Sequence, residues 1–209
     1  MTGIKTLGLC GLVLLLFAVP ARADWQFAPF VGFTFGGDTT LVDPESAAGN
    51  RHWTFGGTAT LIGKGPIAVE GLFAYTPGFF ESNEPPRNPI PPPGTEPALV
   101  TSSRVYALMG NVVLTTPAHL SENSLRPYLS GGVGLLHVSQ TNLGNAFPIS
   151  SNLFGFNVGG GAVGFITNRT GLRFDLRYYS TLRRDEQGFA FGHVRLSYWN
   201  AGVGVVLRY

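Results

Sequence analysis

LRFDLRYY, at residues 172–179, alternates apolar and polar side chains without a break. A period of two is typical of a β-strand, because successive side chains of a strand point to opposite faces. One face is wholly apolar and the other carries three charges, so the strand must separate an oily environment from a polar one. The apolar face holds Leu172, Phe174, Leu176 and Tyr178, and the charged face holds Arg173, Asp175, Arg177 and Tyr179.

Segments with the same alternation recur along the chain at a length of about ten residues, which is the pattern of membrane-spanning strands. No apolar run of about 18 residues follows residue 23, so a helical membrane protein is excluded. The sequence therefore predicts an all-β protein. Its eight predicted strands lie at residues 25–35, 52–62, 67–76, 104–114, 127–138, 153–166, 172–179 and 199–209. In the fifth of these, which is rich in glycine, the pattern does not determine the two faces.

Closure of the sheet follows from its apolar outer face. Lipid offers no hydrogen bonds to an open sheet edge, so such strands must pair into a ring, and the sequence predicts an eight-stranded antiparallel up-and-down transmembrane β-barrel. A soluble lipocalin-like barrel is the alternative, but it needs a polar exterior. Longer connections are predicted after the odd-numbered strands, which places both termini in the periplasm. These connections lie at about 37–51, 77–103, 139–152 and 182–191, and the second holds eight prolines.

The first 23 residues are predicted to be a cleaved export signal. Lys5 precedes an apolar run at residues 7–19, Pro20 ends it, and Ala21-Arg22-Ala23 has the small-x-small form that signal peptidase recognises. The barrel domain is then predicted at 24–209. That part carries 12 basic and 12 acidic residues, and its lack of a basic stripe argues against a nucleic-acid partner.

Polar residues on the inward faces predict a plugged interior. Eight strands form a barrel just wide enough for side chains to fill. Paired charges are expected there because an unpaired buried charge is costly. An ion-selective pore is the alternative reading, and inward glycines at 159, 161, 202 and 204 are expected to make room for the long arginines. The predicted interior polar network comprises Glu70, Asn111, Asn157, Arg173, Asp175, Arg177, Asn200 and Arg208, with Arg104 as a further candidate.

The chain resembles the small outer-membrane β-barrel proteins of Gram-negative bacteria, such as the OmpA transmembrane domain, OmpX and OmpW. The resemblance rests on the export signal, the eight alternating strands, the Arg126-Pro127-Tyr128 entry into a glycine-rich strand and the ending GVGVVLRY at 202–209. It implies outer-membrane lipid and lipopolysaccharide as surroundings, and a monomer. It also implies recognition by the barrel-assembly machinery through the last strand, which ends at Tyr209.

Catalysis and cofactors are not expected. Some barrels of this membrane modify lipid A with a Ser and a His, and His193 and Ser197 faintly resemble that region. Their spacing of four residues is too long for a direct hydrogen bond along a strand. No clustered Cys and His metal ligands occur. The prediction is thus a non-catalytic protein with a structural or surface-interaction role. The first alternative is passage of small or hydrophobic compounds, as the OmpW resemblance implies, and the second is a lipid A-modifying enzyme.

Two strand irregularities are also predicted. Pro29 cannot donate a hydrogen bond to a neighbouring strand, so a bulge or a strand end is expected there. The apolar face of the last strand changes parity near Tyr198. A bulge, or emergence above the lipid, is therefore expected between Ser197 and Trp199.

Overall fold

The computed structural model describes residues 24–39, 51–63, 65–80, 100–116, 125–142, 149–182 and 196–209. They form a closed barrel in which each strand pairs antiparallel with the next in sequence, and the last pairs with the first. This confirms the predicted fold class. The strands are β1 (Asp24–Thr39), β2 (His52–Ile62), β3 (Ile67–Pro77), β4 (Val100–Thr115), β5 (Arg126–Asn142), β6 (Ile149–Phe165), β7 (Thr170–Thr181) and β8 (Leu196–Arg208).

The two ends of the barrel differ in their connections. The turn end carries both ends of the barrel sequence and the connections 63–66, 116–125 and 166–169, whereas the loop end carries 40–51, 78–99, 143–148 and 182–195. β5 and β6 extend further than predicted, because their pairing continues to Gln140 opposite Ile149. The connection 143–148 is therefore shorter than 116–125, and the predicted alternation of long and short connections fails at this hairpin.

The wall of the barrel has the predicted orientation. Phe174 and Leu207 are 52% and 37% exposed on the outside, whereas Arg173 is 7% exposed and points inward. β5 turns its even-numbered residues inward, including Tyr128 and Leu136, and its odd-numbered residues outward. An apolar surface therefore encircles the molecule. Among the described residues, no helix is long and apolar enough to cross a membrane.

Aromatic side chains mark both rims of this apolar surface, as in barrels that sit between two lipid–water interfaces. At the turn end, Trp25 stacks on Phe27 with ring centroids 5.9 Å apart, and Phe27 meets Tyr209 at 6.1 Å. At the loop end, Tyr178 meets Trp199 at 5.2 Å. The rims are about 20 Å apart, given the rise and tilt of such strands, which suits the hydrocarbon layer of an outer membrane.

The two predicted irregularities have different outcomes. β1 runs through Pro29 without a bulge: pairing with β8 skips Ala28 and Pro29 and resumes at Phe30 in the same register, so that prediction is wrong. A register shift does occur where Trp199 and Ser197 pair with β1. The extra residue lies in β1, between Phe35 and Asp38, where Gly36 adopts a φ of 61° that a side chain would disfavour.

Candidate functional site in the barrel interior

Two acids and two arginines form a closed charge network at mid-height, which we call the charged layer. Arg173 Nη1 lies 2.7 Å from Glu70 Oε2, and Arg173 Nη2 lies 2.9 Å from Asp175 Oδ2. Arg177 joins the same two acids, with Nη2 at 2.8 Å from Glu70 Oε1 and Nε at 2.6 Å from Asp175 Oδ1. Each charge thus has two partners of opposite sign, and the layer is neutral as a whole.

The alternation in β7 creates this arrangement. Arg173, Asp175 and Arg177 are successive inward residues of one strand, so the acid sits between two arginines, at a spacing that lets it bond to both. Glu70 comes from β3, across the barrel interior. The charged layer therefore ties together strands that do not pair with each other, which backbone hydrogen bonding alone cannot do.

Neutral side chains donate further hydrogen bonds to the same two carboxylate oxygens of Glu70. Thr60 Oγ1 donates to Oε2 at 3.2 Å, and Asn111 Nδ2 donates to Oε1 at 3.0 Å. Asn157 Nδ2 in turn donates to Asn111 Oδ1 at 2.7 Å. Burial without such donors would leave a costly carboxylate, so these residues stabilise the ion pairs they surround.

Tyr128 closes the network on the side of Asp175. Its hydroxyl donates to Asp175 Oδ2 and accepts from Arg173 Nε at 2.8 Å. The Arg173 guanidinium also lies over the Tyr128 ring, 4.6 Å from its centroid, which adds a cation–π contact. Sequence reasoning used Tyr128 only as part of a family-like motif. The uncertain facing of β5 concealed its place in the network.

Six of the eight predicted interior residues are brought together by these contacts, and two are not. Asn200 is buried and borders a small cavity beside the charged layer, which has room for about one water molecule. Arg208 lies at the turn end, 3.4 Å from Asp24, with its guanidinium 4.9 Å from the Phe165 ring. Arg104 is exposed on the outer face of β4 and does not enter the interior. The six that meet are Glu70, Asn111, Asn157, Arg173, Asp175 and Arg177.

Glycines make room for three different side chains, not for the arginines alone. A Cβ on Gly159 would lie 2.6 Å from Arg177 Cγ, as expected. On Gly161 it would meet the Tyr128 hydroxyl at 2.6 Å. On Gly202 and Gly204 it would lie 3.3 and 3.0 Å from Phe30, which points inward there. The predicted role is therefore confirmed for Gly159 and wrong for the other three glycines.

An apolar layer, which sequence reasoning missed, packs in the loop-end half of the interior, beside buried polar residues such as His52 and Thr54. Phe79 and Phe80 follow β3 after a single residue, Gly78, and each is 1% exposed. Gly78, with a φ of 67°, turns the chain inward, and Ser103 Oγ accepts from Phe80 N at 2.9 Å. Phe79 then meets the Tyr198 ring at 5.0 Å. The loop-end apolar layer comprises Leu72, Ala74, Phe79, Phe80, Val105, Ala107, Met109, Leu136, Val138, Tyr179, Leu196 and Tyr198.

A smaller apolar cluster lies on the other side of the charged layer, towards the turn end. Ile62, Ala68 and Val113 pack there beneath the Tyr128 ring. Below them, Arg126 donates to the Thr116 carbonyl oxygen, from Nη2 at 2.6 Å. The described interior is thus stratified, with apolar side chains both above and below the paired charges.

The arrangement of these side chains fills and stabilises the barrel interior. Its charges are mutually neutralised, and Arg177 Nη1 and Asn157 Oδ1 are buried polar atoms without a partner among the described residues. Within that part of the chain, no group of three or more His, Cys, Asp and Glu side chains is placed to hold a metal ion.

A closed antiparallel barrel with an apolar exterior and paired charges inside defines a transmembrane β-barrel protein. Residues 10–208 match the model of the outer membrane protein beta-barrel domain family. The chain belongs to that family, and the protein is located in the outer membrane. This confirms the family resemblance and the location predicted from the sequence.

Solved structures with the same fold share little sequence with this chain. Neisserial surface protein A has a TM-score of 0.58 at 13% identity, covering 89% of this chain and 97% of its own. A major outer membrane protein from Thermus thermophilus has 0.56 at 14%, covering 90% and 100%. The N-terminal β-barrel domain of Pseudomonas aeruginosa OprF has 0.51 at 15%, also covering 90% and 100%. These likenesses show the fold alone, and no curated protein matches the chain.

Proposed function

We propose that this protein is a monomeric, non-catalytic integral outer-membrane barrel with a closed interior and a structural or surface-interaction role. Its surroundings are outer-membrane lipid and lipopolysaccharide, and its loop end faces outward. The observation that carries the proposal is the charged layer, in which Glu70 and Asp175 each bond to both Arg173 and Arg177.

Closure to solutes is supported by the sequence of layers along the axis. A charge in a pore must be reachable by water and ions, whereas Glu70 and Arg177 are almost completely buried. The apolar layer, with Phe79 and Phe80, lies between these charges and the loop end. A permeating ion would therefore have to break the ion pairs and displace two phenylalanines at once.

Conductance across a planar lipid bilayer tests closure. The purified barrel is expected to give no current steps above the bare-membrane leak, and Phe79→Ala/Phe80→Ala is expected to stay closed because the charged layer remains. Adding Glu70→Ala to that pair removes part of both layers and should produce current steps. Stable, ion-selective steps from the unaltered protein would contradict the proposal.

A non-catalytic role is supported by the burial of Ser197, the nucleophile that the faint resemblance to lipid A-modifying barrels offers. Ser197 is 4% exposed in β8, and His193 lies outside the described residues. The lipid A of cells that produce the protein is expected to keep its mass. A mass change that disappears with Ser197→Ala would show catalysis instead.

Recognition by the barrel-assembly machinery is assigned to β8 and Tyr209. Tyr209 pairs with Trp25 through both backbone groups, at 2.9 and 3.2 Å, so it helps to close the seam between the first and last strands. Deletion of Tyr209 should lower the amount of heat-modifiable protein in the outer membrane, with Tyr209→Phe as the matched control. Equal amounts from both variants would remove this role.

Passage of hydrophobic compounds through the wall is the second candidate. A groove of about 410 Å³ indents the outer surface of β1–β4, where Gly57 and Gly71 lack side chains and Pro29 interrupts pairing with β8. Uptake of a hydrophobic dye into vesicles would favour this candidate if Gly71→Leu abolished it. Gly131→Leu, outside the groove, is the control.

A further inference from the structure

The outer wall of β3–β6 carries three cross-strand rows near the loop end, each of a different chemistry. Residues directly opposite one another in adjacent strands form each row. The first row is apolar, the second is aromatic with an imidazole and an amide, and the third is polar with one cation. In order towards the loop end, the rows are Phe73, Leu108, Leu135 and Phe154; then Tyr75, Tyr106, His137 and Asn152; then Pro77, Arg104, Ser139 and Ser150. The second and third rows together are called the interface patch.

The second row is internally organised. Tyr75 and Tyr106 stack with centroids 4.9 Å apart, and Tyr106 meets the His137 ring at 5.9 Å. His137 Nδ1 lies 2.7 Å from Asn152 Oδ1, which accepts its proton and fixes the ring. The His137 Nε2 edge is then directed away from Asn152. Amphipathic rings of this kind favour the level at which hydrocarbon gives way to headgroups.

Arg104 differs from the arginines of the charged layer. It is exposed on the outer wall, and among the described residues it forms no ion pair. Ser139 and Ser150 lie beside it in the same row and offer hydroxyl groups. A guanidinium flanked by hydroxyls on an outward surface is suited to an oxyanion, because its fixed donors match phosphate geometry.

The row beneath determines the kind of anion. Leu108 and Leu135 are 59% and 51% exposed, so a ligand that reaches both chemistries must carry acyl chains below an anionic head. We propose that the interface patch binds the phosphorylated headgroup of the outer-leaflet glycolipid, with Arg104 on its phosphate and the apolar row against its acyl chains. This inference rests on the proposed outward orientation of the loop end.

In the part of the chain that the structure describes, the opposite wall does not offer the same combination. There Phe35, Trp199 and Tyr178 form a row of aromatic rings alone. Arg51, at the loop-end start of β2, lies 5.9 Å above the Phe33 ring and is already in a cation–π contact. The site is therefore assigned to one side of the barrel, and Arg51 supplies a matched basic control at the same end.

Native mass spectrometry of the purified barrel in a zwitterionic detergent tests the site, with bisphosphorylated lipid A as the probe. Arg104→Gln is expected to weaken binding about fivefold, which is the scale of one exposed charge contact. Arg104→Lys should retain part of the affinity. Arg51→Gln and Arg169→Gln, the latter at the turn end, should bind as the unaltered protein does. The heat-dependent gel shift of each variant verifies that it is folded.

Three results would overturn the assignment. Equal losses in the Arg104, Arg51 and Arg169 variants would indicate general charge attraction, and unchanged binding by Arg104→Gln would exclude this residue. Dephosphorylated lipid A must bind the unaltered protein more weakly, and equal binding would remove the phosphate from the proposal. Binding of lipid A in detergent solution depends neither on the orientation of the barrel in a membrane nor on whether its interior is closed to ions. A negative result in this binding experiment is therefore distinguishable from a negative result in the conductance experiment.

Discussion

The charged layer and the loop-end apolar layer fill the same barrel by opposite means. In the first, Glu70 alone accepts from two arginines, a threonine and an asparagine, so each atom depends on a particular partner. In the second, Phe79 and its neighbours are held by packing and ring contacts. Removal of one charge leaves another uncompensated, whereas removal of one ring leaves a space that neighbours can partly occupy.

This difference indicates separate roles for the two layers. Ion pairs between β3 and β7 fix those strands across the barrel, since only certain placements satisfy all four charges. Phe79 and Phe80 belong to the connection after β3 and are buried in the apolar layer. The layer therefore holds the start of that connection inside the barrel. The first layer specifies the barrel, and the second ties a loop to it.

The largest expected effect is that of Glu70→Gln. The change leaves Arg173 and Arg177 with Asp175 as their one acidic partner among the described residues, and breaking a buried pair in this way costs about 3–5 kcal/mol. Urea unfolding in detergent, followed by the heat-dependent gel shift, measures it. Asp24→Asn is the control, because its ion pair with Arg208 is at the rim and half-exposed. Similar losses from the two variants would remove the distinction between buried and rim pairs.

Phe79→Ala is expected to be next, with a loss of about 3 kcal/mol from buried area and cavity formation. The same unfolding assay applies, and the loss should not depend on salt concentration. Phe73→Ala is the matched control, since Phe73 faces outward from the neighbouring strand β3 and is 48% exposed. If Phe73→Ala lowered the free energy of unfolding as much as Phe79→Ala, the burial of Phe79 in the interior would not explain its contribution to stability.

A glycine pair sharpens the comparison within the wall. Gly159→Ala should cost about 1–3 kcal/mol, because its Cβ would press on Arg177 and on the Leu176 carbonyl. Gly71→Ala should change the free energy of unfolding by less than about 0.5 kcal/mol, since a Cβ there meets nothing within 4 Å. Equal effects of the two substitutions would mean that the need for space beside Arg177 does not explain why residue 159 is a glycine.

The smallest effect is expected for Arg208→Gln. Arg208 is partly exposed and 3.4 Å from an exposed partner, so its ion pair contributes less than about 1 kcal/mol. Raising the salt concentration should reduce this contribution further, because exposed pairs are screened. A loss as large as that of Glu70→Gln would place Arg208 in the charged layer after all.

Strand faces could be predicted because alternation is a local property. β2 has its predicted bounds, and Arg173, Asp175 and Arg177 share the face assigned from the sequence. Alternation gives the face of a side chain but not its height along the axis. The pattern therefore assigns Arg208 to the charged face of its strand but does not show that it lies at the turn end, away from the charged layer.

The apolar layer could not be predicted for two physical reasons. Leu136 and Val138 belong to a strand that is apolar on both faces, so period two cannot tell the inside from the lipid side. Phe79 and Phe80 follow the end of β3, where no strand period applies. The sequence signal that indicates this layer is a pair of apolar residues, Phe79 and Phe80, placed after a strand and the turn-forming Gly78.

A double-mutant cycle across Glu70 and Arg177 tests the central claim that the charges form one interdependent layer. Unfolding free energies of Glu70→Gln, Arg177→Gln, the pair and the unaltered barrel are compared in one detergent. We expect a coupling energy of about 2 kcal/mol or more, unchanged at high salt because the pair is buried. Additive losses within about 0.5 kcal/mol would contradict the claim.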